Sequence, residues 1–401
     1  MNALDMKTRK TILRTLSRKY KELKKKEKGK VLDEAVKLMG YRRSYAAFVL
    51  RRYAEEAEER PPGVVRPFRR RRKVLYDAPV REVLKRLWVL EDYLCGKRLG
   101  PLLPVLIAKL VQCGELKAPP VVRRKLSRMS PATIDRILAP EKAKSGLKSR
   151  ARTRPGSLLK AQIPIRTFAD WDERRPGFVE IDLVGHDGGH PSGDFAQTLD
   201  VTDVASGWTE TQAVRNKAQT HVLHALQDIR SRLPFPLRGV DSDNGSEFIN
   251  DQLTRYCRKE HLTFTRSRPY RKNDTCFVEQ KNWSVVRRAV GYARYDTPEA
   301  LALLNTLYRS LRLYTNFFQP SMKLIEKIRD GAHVTKHYDK AQTPMTRLLE
   351  SPAVEPRIKR RLRKLYDRLN PVVLRRSIDQ LQLQLEALTR RSHSRTAYAA
   401  L

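Results

Sequence analysis

Between residues 177 and 290, apolar residues follow first an alternating and then a helical spacing, and this order restricts the possible folds more than any other feature. The segment GFVEIDLV alternates, with Val179, Ile181 and Leu183 on one face of a strand. Glu180 and Asp182 would lie on the other face. FAQTLDVTDV and WTETQAVR have the pattern of two further strands, after which helical segments alternate with the strands LRGVDSD and LTFTRS. The order β-β-β-α-β-α-β-α predicts an α/β domain in which helices flank a mixed five-stranded sheet.

The N-terminal part of the chain is predicted to be helical. Residues 1–60 have apolar residues at helical spacing amid Lys and Arg, and two short amphipathic segments meet at Gly40. This helix-turn-helix pattern is found in DNA-binding domains and also in ordinary helical bundles. Residues 61–76 form a basic, Pro-containing linker that would lie along DNA phosphates or remain a solvated charge run. Its candidate DNA contacts are Arg69, Arg70, Arg71, Arg72 and Lys73.

A second helical region, residues 77–138, also has the features of a helix-turn-helix. Ser130 is a suitable N-cap, and Pro131 suits the first position of the last helix. Thr133 and Arg136 would lie on the exposed face of that helix and are candidate DNA contacts. Two such regions in tandem would cover a longer DNA site than one and would gain affinity from being tethered.

The main predicted domain boundary is the segment 139–162, which is rich in Lys, Arg, Ser, Gly and Pro and lacks a hydrophobic period. We therefore place the α/β domain at 163–325 and a mainly helical, basic region at 326–401. Five apolar residues in the last region alternate steps of four and three. This pattern fits either a short coiled coil or a helix packed on its own domain, and its members are Leu374, Ile378, Leu381, Leu385 and Leu388.

The charge of the chain indicates a polyanionic partner. Lys and Arg number 82 against 44 Asp and Glu, a net charge of +38, and nucleic acid is the leading candidate for such a surplus. Membranes are disfavoured because the basic residues are spread along the whole chain, and the longest apolar run, 101–111, is too short to span a bilayer. The N-terminus lacks the apolar core of a signal peptide, so we expect a cytoplasmic, nucleoid-associated protein. The 4 cysteines form no CxxC pair and give no zinc-ligand spacing.

Three carboxylates fall where a sheet could bring them together. Asp182 lies in the first predicted strand, Asp243 follows the fourth, and Glu279 lies near the start of a helix. Carboxylates that converge from separate elements suit two Mg²⁺ ions about 3.5 to 4 Å apart, one at the attacking and one at the leaving oxygen of a displacement at phosphorus. Such a site explains why acidic residues are concentrated in the turn GVDSDNGSEF of a strongly basic chain.

The segments EIDLV, DSDNGSEF and VEQKN closely resemble the three acidic motifs of DDE transposases and retroviral-type integrases. The 35 residues between Asp243 and Glu279 match the family's characteristic gap. The resemblance covers about 163–325 and implies a ribonuclease H-like catalytic core. It also implies that Asp182, Asp243 and Glu279 are catalytic and bind two Mg²⁺ ions, for which Mn²⁺ could substitute. The N-terminal part departs from the retroviral members, because it contains no His for their zinc-binding module.

Several neighbours of the three acids are weaker candidates. Asp241 could share a strand face with Asp243 and is its main competitor, whereas Glu180 could be an edge or supporting residue. Asn282 and Trp283 follow Glu279 at helical spacing and could contact DNA or orient a metal ligand, although core packing is the favoured reading of Trp283.

Two basic or histidine-containing loops could face DNA. His186 and His190 lie in a Gly-rich segment that cannot form the helix needed for a strong metal signal. In RSRPYRKNDT the candidate phosphate contacts are Arg266, Arg268, Arg271 and Lys272, with an exposed basic loop as the alternative.

Taken with the charge, the resemblance implies a DNA transposase of an insertion sequence. Its expected partners are double-stranded DNA, both transposon ends and target, and further copies of itself that bridge two ends. The expected chemistry is metal-dependent 3′-end cleavage followed by strand transfer. The alternatives are a domesticated transposase acting as a sequence-specific regulator and a ribonuclease H-like nuclease that does not join DNA.

Overall fold

A computed structural model of the chain describes residues 6–58, 75–144, 175–243, 245, 247–248, 250–267, 276–330 and 333–399. The chain forms two compact units, Met1–Leu75 and Tyr76–Leu401. The predicted basic contacts Arg69 to Lys73 and most of the predicted linker 139–162 lie outside the described residues. Within the described part, no helix is both long and apolar enough to cross a membrane.

The first unit consists of three helices, α1 (Met6–Glu22), α2 (Lys25–Met39) and α3 (Arg43–Glu58). Leu16, Ala35 and Leu50 are buried between them. As predicted, Gly40 ends α2, and its φ of 69° is the left-handed conformation that glycine adopts without a steric penalty.

Four helices begin the second unit, namely α4 (Ala78–Leu90), α5 (Gly96–Gln112), α6 (Pro120–Ser127) and α7 (Pro131–Lys144). Their core includes Leu84, Leu103 and Ile134. The predicted N-cap of α7 is present, because the Thr133 amide donates to Ser130 Oγ at 3.3 Å. At the crossing of α5 and α7, a Cβ on Gly96 would lie 2.1 Å from the carbonyl oxygen of the first residue of α7, so no larger side chain fits there.

The five-stranded sheet has the predicted composition and the order β3-β2-β1-β4-β5. β1 pairs antiparallel with β2 and parallel with β4, and β4 pairs parallel with β5, so the sheet is mixed. Its strands are β1 (Phe178–Gly185), β2 (Gln197–Asp203), β3 (Thr209–Val214), β4 (Gly239–Ser242) and β5 (Thr263–Arg266). This order and pairing confirm the predicted ribonuclease H-like fold.

Helices cover both faces of the sheet, which explains why β2 and β4 are buried along their whole length. One face packs on α8 (Gln219–Arg232) and α9 (Asp251–Lys259). The other lies beneath α10 (Cys276–Lys281), a π-helical turn (Asn282–Arg287), α11 (Arg288–Val290) and α12 (Pro298–Phe318).

The C-terminal region differs from its prediction at its start. A β-hairpin, β6 (Leu324–Asp330) and β7 (His333–Tyr338), precedes the helices α13 (Pro344–Glu350), α14 (Pro356–Arg368) and α15 (Pro371–Ala399). The five apolar residues at heptad spacing in α15 pack on their own unit, mainly against α12, so the second of the two readings is confirmed. Ile378 and Leu385 are each 1% exposed.

The predicted boundary at 139–162 implied that the helices α4–α7 are separate from the sheet domain. In the structure they pack against it. Arg98 Nε donates to the carbonyl oxygen of Pro320 at 2.6 Å, and Lys109 Nζ donates to that of Asp367 at 2.9 Å. These contacts and the core of α12–α15 join 76–144 and 175–399 into one compact unit. Sequence patterns do not reveal this packing, because the contacts are specific hydrogen bonds from side chains to backbone carbonyls of distant segments.

Candidate active site

Asp182, the acid of the first motif, lies in the middle of the sheet on β1. Its Oδ1 accepts a hydrogen bond from the Leu183 amide at 2.8 Å, and its Oδ2 accepts one from Asn282 Nδ2 at 2.5 Å. Burial, and after it the negative charges of Asp243 and Glu279, raises the pKa of this carboxyl to about 7. Asp243 and Glu279 therefore both lie within electrostatic reach of Asp182.

Asp243, the acid of the second motif, follows β4 directly and is half-buried. Its Oδ1 accepts a hydrogen bond from the Gly245 amide at 2.8 Å, and burial, followed by the Glu247 charge, raises its pKa. The competing Asp241 is only 2% exposed and accepts a hydrogen bond from Thr265 Oγ1 inside the sheet. Asp243 is therefore the more accessible of the two carboxylates.

Glu279, the acid of the third motif, is exposed in the first turn of α10. The helix is fixed to the sheet by Glu180, whose Oε2 accepts a hydrogen bond from the Val278 amide at 2.7 Å. Glu180 is fully buried, and this burial, reinforced by Asp241, holds its pKa well above the usual range of a carboxyl. Glu180 therefore links β1 directly to the helix that carries Glu279.

A further buried carboxylate, Asp200, stands opposite Asp182 in the antiparallel pair β1–β2. Burial raises the pKa of Asp200 to about 8. Lys281 opposes this shift, and burial lowers the pKa of Lys281 itself to about 8. Sequence reasoning missed Asp200, although the alternation of β2 would have placed it on the same face as Asp182 once the strand register was known.

The helix that follows Glu279 widens into a π-helical turn, which the sequence pattern did not predict. Such turns are rare and often occur at functional sites. Here the turn places Asn282 against Asp182, so this side chain orients a predicted metal ligand. The favoured reading of Trp283 as a core residue was wrong, because the indole is 47% exposed, with the Arg288 guanidinium 5.7 Å from its ring.

The predicted DNA contacts have different outcomes. On α7, Arg136 is exposed and Thr133 is half-buried. Arg266 was assigned to a loop, but it is the last residue of β5 and only 6% exposed, so this predicted phosphate contact is corrected. Arg268, Arg271 and Lys272 lie outside the described residues.

The two histidines also separate. His186 is fully buried, with Nε2 2.7 Å from Thr198 Oγ1, and burial lowers its pKa to about 3. The expectation that it faces DNA was therefore wrong, whereas His190 is exposed. The alternation of β1 continues through His186 into the core, a continuation that the neighbouring glycines concealed.

The donor set suits a hard divalent cation, although it is not closed around one. Within the described ranges, no group of three His, Cys, Asp or Glu side chains is arranged to hold a metal ion. Asp182, Asp243 and Glu279 nevertheless offer the oxygen ligands that Mg²⁺ prefers. Their mutual repulsion, visible in the raised pKa of Asp182, would be relieved by a cation. These residues therefore fit a divalent metal that draws them together.

Comparisons with known proteins agree with the fold. Residues 172–272 match the family described as "Integrase core domain". "Uncharacterized protein y4rM" of Sinorhizobium fredii (strain NBRC 101917 / NGR234) is 43% identical over 344 residues, which cover 86% of this chain and 96% of that protein. A solved structure, "Crystal structure of catalytic core domain of BIV integrase in crystal form I", covers 42% of this chain and 91% of its own, with 16% identity and a TM-score of 0.29.

The sheet order and the matched core define an integrase-core protein with a ribonuclease H-like fold. Within that class, the chain belongs to the same family as y4rM of Sinorhizobium fredii.

Proposed function

We propose that this protein is a DDE-type transposase of an insertion sequence. It binds the terminal inverted repeats, cleaves the 3′ ends of the element and joins them to target DNA. The observation that supports the proposal is the geometry around Asp182. Asp243 follows β4, the parallel neighbour of β1, and Asn282, three residues after Glu279, donates to the Asp182 carboxylate at 2.5 Å. Acids brought together in a chain of net charge +38 are what metal-dependent chemistry on DNA requires.

In this proposal, Asp182, Asp243 and Glu279 hold two Mg²⁺ ions, for which Mn²⁺ can substitute. When bound, such ions would lower the pKa of the attacking water or hydroxyl and stabilise charge on the leaving oxygen. Asn282 holds the Asp182 carboxylate in one orientation, and Glu180 fixes the first turn of the helix that carries Glu279. Water attacks the phosphate at the element end and breaks its bond to the element's 3′ oxygen, which leaves as a 3′-hydroxyl while the phosphate stays on the flanking strand. This hydroxyl then attacks a target phosphate, forms the new phosphodiester bond and releases a 3′-hydroxyl on the target strand. Neither step forms a covalent bond between protein and DNA.

DNA recognition is assigned to the two helical pairs, α2–α3 and α6–α7. The second helix of each pair exposes side chains suited to a major groove. Tyr45 and Phe48 on α3 are each 52% exposed, and such rings can contact thymine methyl groups. Arg136 is exposed on α7. Because two ends must be joined to one target, the active form is expected to be a homo-oligomer.

The experiment incubates labelled, uncut element ends with Mg²⁺ and the full-length protein. Wild type is compared with the triad variants Asp182→Asn, Asp243→Asn and Glu279→Gln. Glu247→Gln is the matched control, because it removes a carboxylate from the same turn as Asp243. The proposal expects cleavage by wild type and by the control, and end binding without cleavage in the triad variants. Binding without cleavage in wild type would instead favour a sequence-specific regulator.

A further inference from the structure

Helix α14 carries a stripe of exposed basic side chains along its whole length. They recur at steps of three and four residues, so they project from one side of the helix, and they are Arg357, Arg360, Arg361, Lys364 and Arg368. The stripe spans twelve residues, 357–368, so its first and last members are about 16 Å apart at 1.5 Å per residue.

The opposite side of α14 is fully used inside the fold. Leu362 is 4% exposed, and Ile358, Tyr366 and Leu369 pack against the same core. The ring of Tyr366 lies 5.6 Å from that of Phe318, measured between centroids. The helix is therefore held in place by its apolar side, and it presents its charged side to solvent together with Leu365, which is 36% exposed.

Within the described part of the chain, none of the five basic residues of the stripe takes part in an ion pair. Buried Glu210, by contrast, pairs with both Arg232 and Arg312. Like charges three and four residues apart on a helix repel one another and destabilise it. The stripe thus costs the fold stability, which is understandable if a polyanion outside the chain neutralises it.

We propose that α14 binds the sugar-phosphate backbone of duplex DNA, without reading its bases. This inference rests on the proposed function in taking DNA as the substrate. Each DNA strand carries one charge per about 3.4 Å, so a stripe of this length spans about five phosphates. Four of its five members are arginines, whose forked guanidinium groups match phosphate oxygens.

DNA fits this surface better than a lipid surface or a groove in another protein. A helix that lies in a membrane interface, or that docks in a protein groove, must present its apolar side. In α14 that side is already buried on the core. The C-terminal end of α14 also adjoins α5, where Lys109 Nζ donates to the Asp367 carbonyl oxygen, so the stripe lies beside the second region assigned to DNA.

The test measures binding of the full-length protein to a labelled duplex of arbitrary sequence by fluorescence anisotropy, over a range of salt concentrations. One variant removes four charges from the stripe: Arg357→Ala, Arg361→Ala, Lys364→Ala and Arg368→Ala. A matched control removes four exposed basic residues on and near α9: Arg238→Ala, Arg255→Ala, Arg258→Ala and Lys259→Ala. Both variants lose the same net charge.

Each lost phosphate contact lowers the slope of log affinity against log salt by about 0.9. We expect the stripe substitutions to reduce the steepness of this slope by about 2 to 4. They should also weaken binding more than tenfold at moderate salt, on the order of 1.4 kcal/mol or more. The control should lower the slope by less than about 1. The melting temperature of the control variant should stay near that of wild type. The melting temperature of the stripe variant should equal or exceed it, because repulsion between the basic side chains has been removed.

Two results would overturn the inference. Equal losses in both variants would show an effect of net charge alone, and no loss in the stripe variant would show that α14 does not bind the duplex. The proposed function fails separately. If wild type binds duplex through the stripe yet cleaves and joins no ends, the inference about α14 stands and the transposase proposal falls. If ends are joined but the stripe variant binds normally, the reverse holds.

Discussion

The raised pKa of Asp182 predicts how the stability of the metal-free protein depends on pH. Burial, with Asp243, raises this pKa to about 7 in the folded protein, against about 3.9 in an unfolded chain. The folded state thus holds a proton that the unfolded chain has already released. Stability from this group is therefore lost as the pH rises from about 4 to about 7, and at 1.36 kcal/mol per pKa unit the loss reaches about 4 kcal/mol by pH 8.

The substitution Asp182→Asn removes this titration with little change of shape. The Leu183 amide can still donate to the side-chain oxygen at position 182. Asn282 Oδ1 is buried without a hydrogen-bond partner among the described residues, so its amide can turn over and accept from the new side chain. We therefore expect the variant to gain about 4 kcal/mol over wild type between about pH 4 and pH 8.

Urea unfolding in the presence of a chelator measures this difference at a series of pH values. Asp194→Asn, in an exposed loop, is the matched control, and its difference from wild type should stay within about 0.5 kcal/mol throughout. A difference between Asp182→Asn and wild type that stays constant with pH would refute the argument, because Asp182 would then titrate alike in the folded and unfolded states.

Three further predictions concern substitutions at Ile378, Gly96 and Glu180, which test how the helices and the sheet pack together. Ile378→Ala should lower the free energy of unfolding by about 2 to 5 kcal/mol, because the residue is only 1% exposed. Leu383→Ala, at a 66% exposed position of the same helix, should lower it little, and chemical unfolding compares the two variants. Gly96→Ala should lower both the melting temperature and the affinity for element ends, because the new Cβ would collide with α7. Wild-type values of both would contradict the close crossing of α5 and α7. Glu180→Ala leaves the buried Val278 amide without an acceptor and should lower the free energy of unfolding by about 1 to 3 kcal/mol and remove most of the cleavage rate. Glu180→Gln keeps an acceptor and should retain more of the stability and of the rate. Equal losses in the two variants would argue against the hydrogen bond as the cause.

The sheet was predictable because each of its strands carries a local signal. The alternation in β1 and the succession of strand and helix patterns predict the order of the elements. The alternation also predicts which side chains of a strand lie on the same face of the sheet. The positions of the three motif acids followed from the same pattern, since Asp182 lies in the first strand and Asp243 follows the fourth.

The supporting contacts of the site were not predictable in the same way. The π-helical turn at 282–287 and the bond from Asn282 to Asp182 depend on how one helix settles on the sheet. Arg266 is the last residue of β5 and lies inside the predicted strand LTFTRS, but which strand ends are covered by neighbouring elements depends on tertiary packing. Such details depend on tertiary packing, which local propensity does not encode.

The hairpin β6–β7 and the docking of α4–α7 show a second kind of limit. The hairpin residues whose burial is described are exposed, so β6 and β7 lack the apolar and polar alternation of a half-buried strand. The docking rests on single hydrogen bonds such as Arg98 to the Pro320 carbonyl, between residues more than two hundred positions apart. No pattern within a short window of sequence reports such a contact.

The most direct test of the central claim isolates the joining step. A pre-cleaved element end, with its 3′-hydroxyl already free, is incubated with target plasmid, Mg²⁺ and full-length protein, and joined products are counted. The account predicts joining by wild type and by Glu247→Gln, and none by Asp243→Asn, while all three bind the end. Joining by Asp243→Asn at the wild-type rate would contradict the assignment of this acid, and failure of wild type to join any end would contradict the proposed transposase.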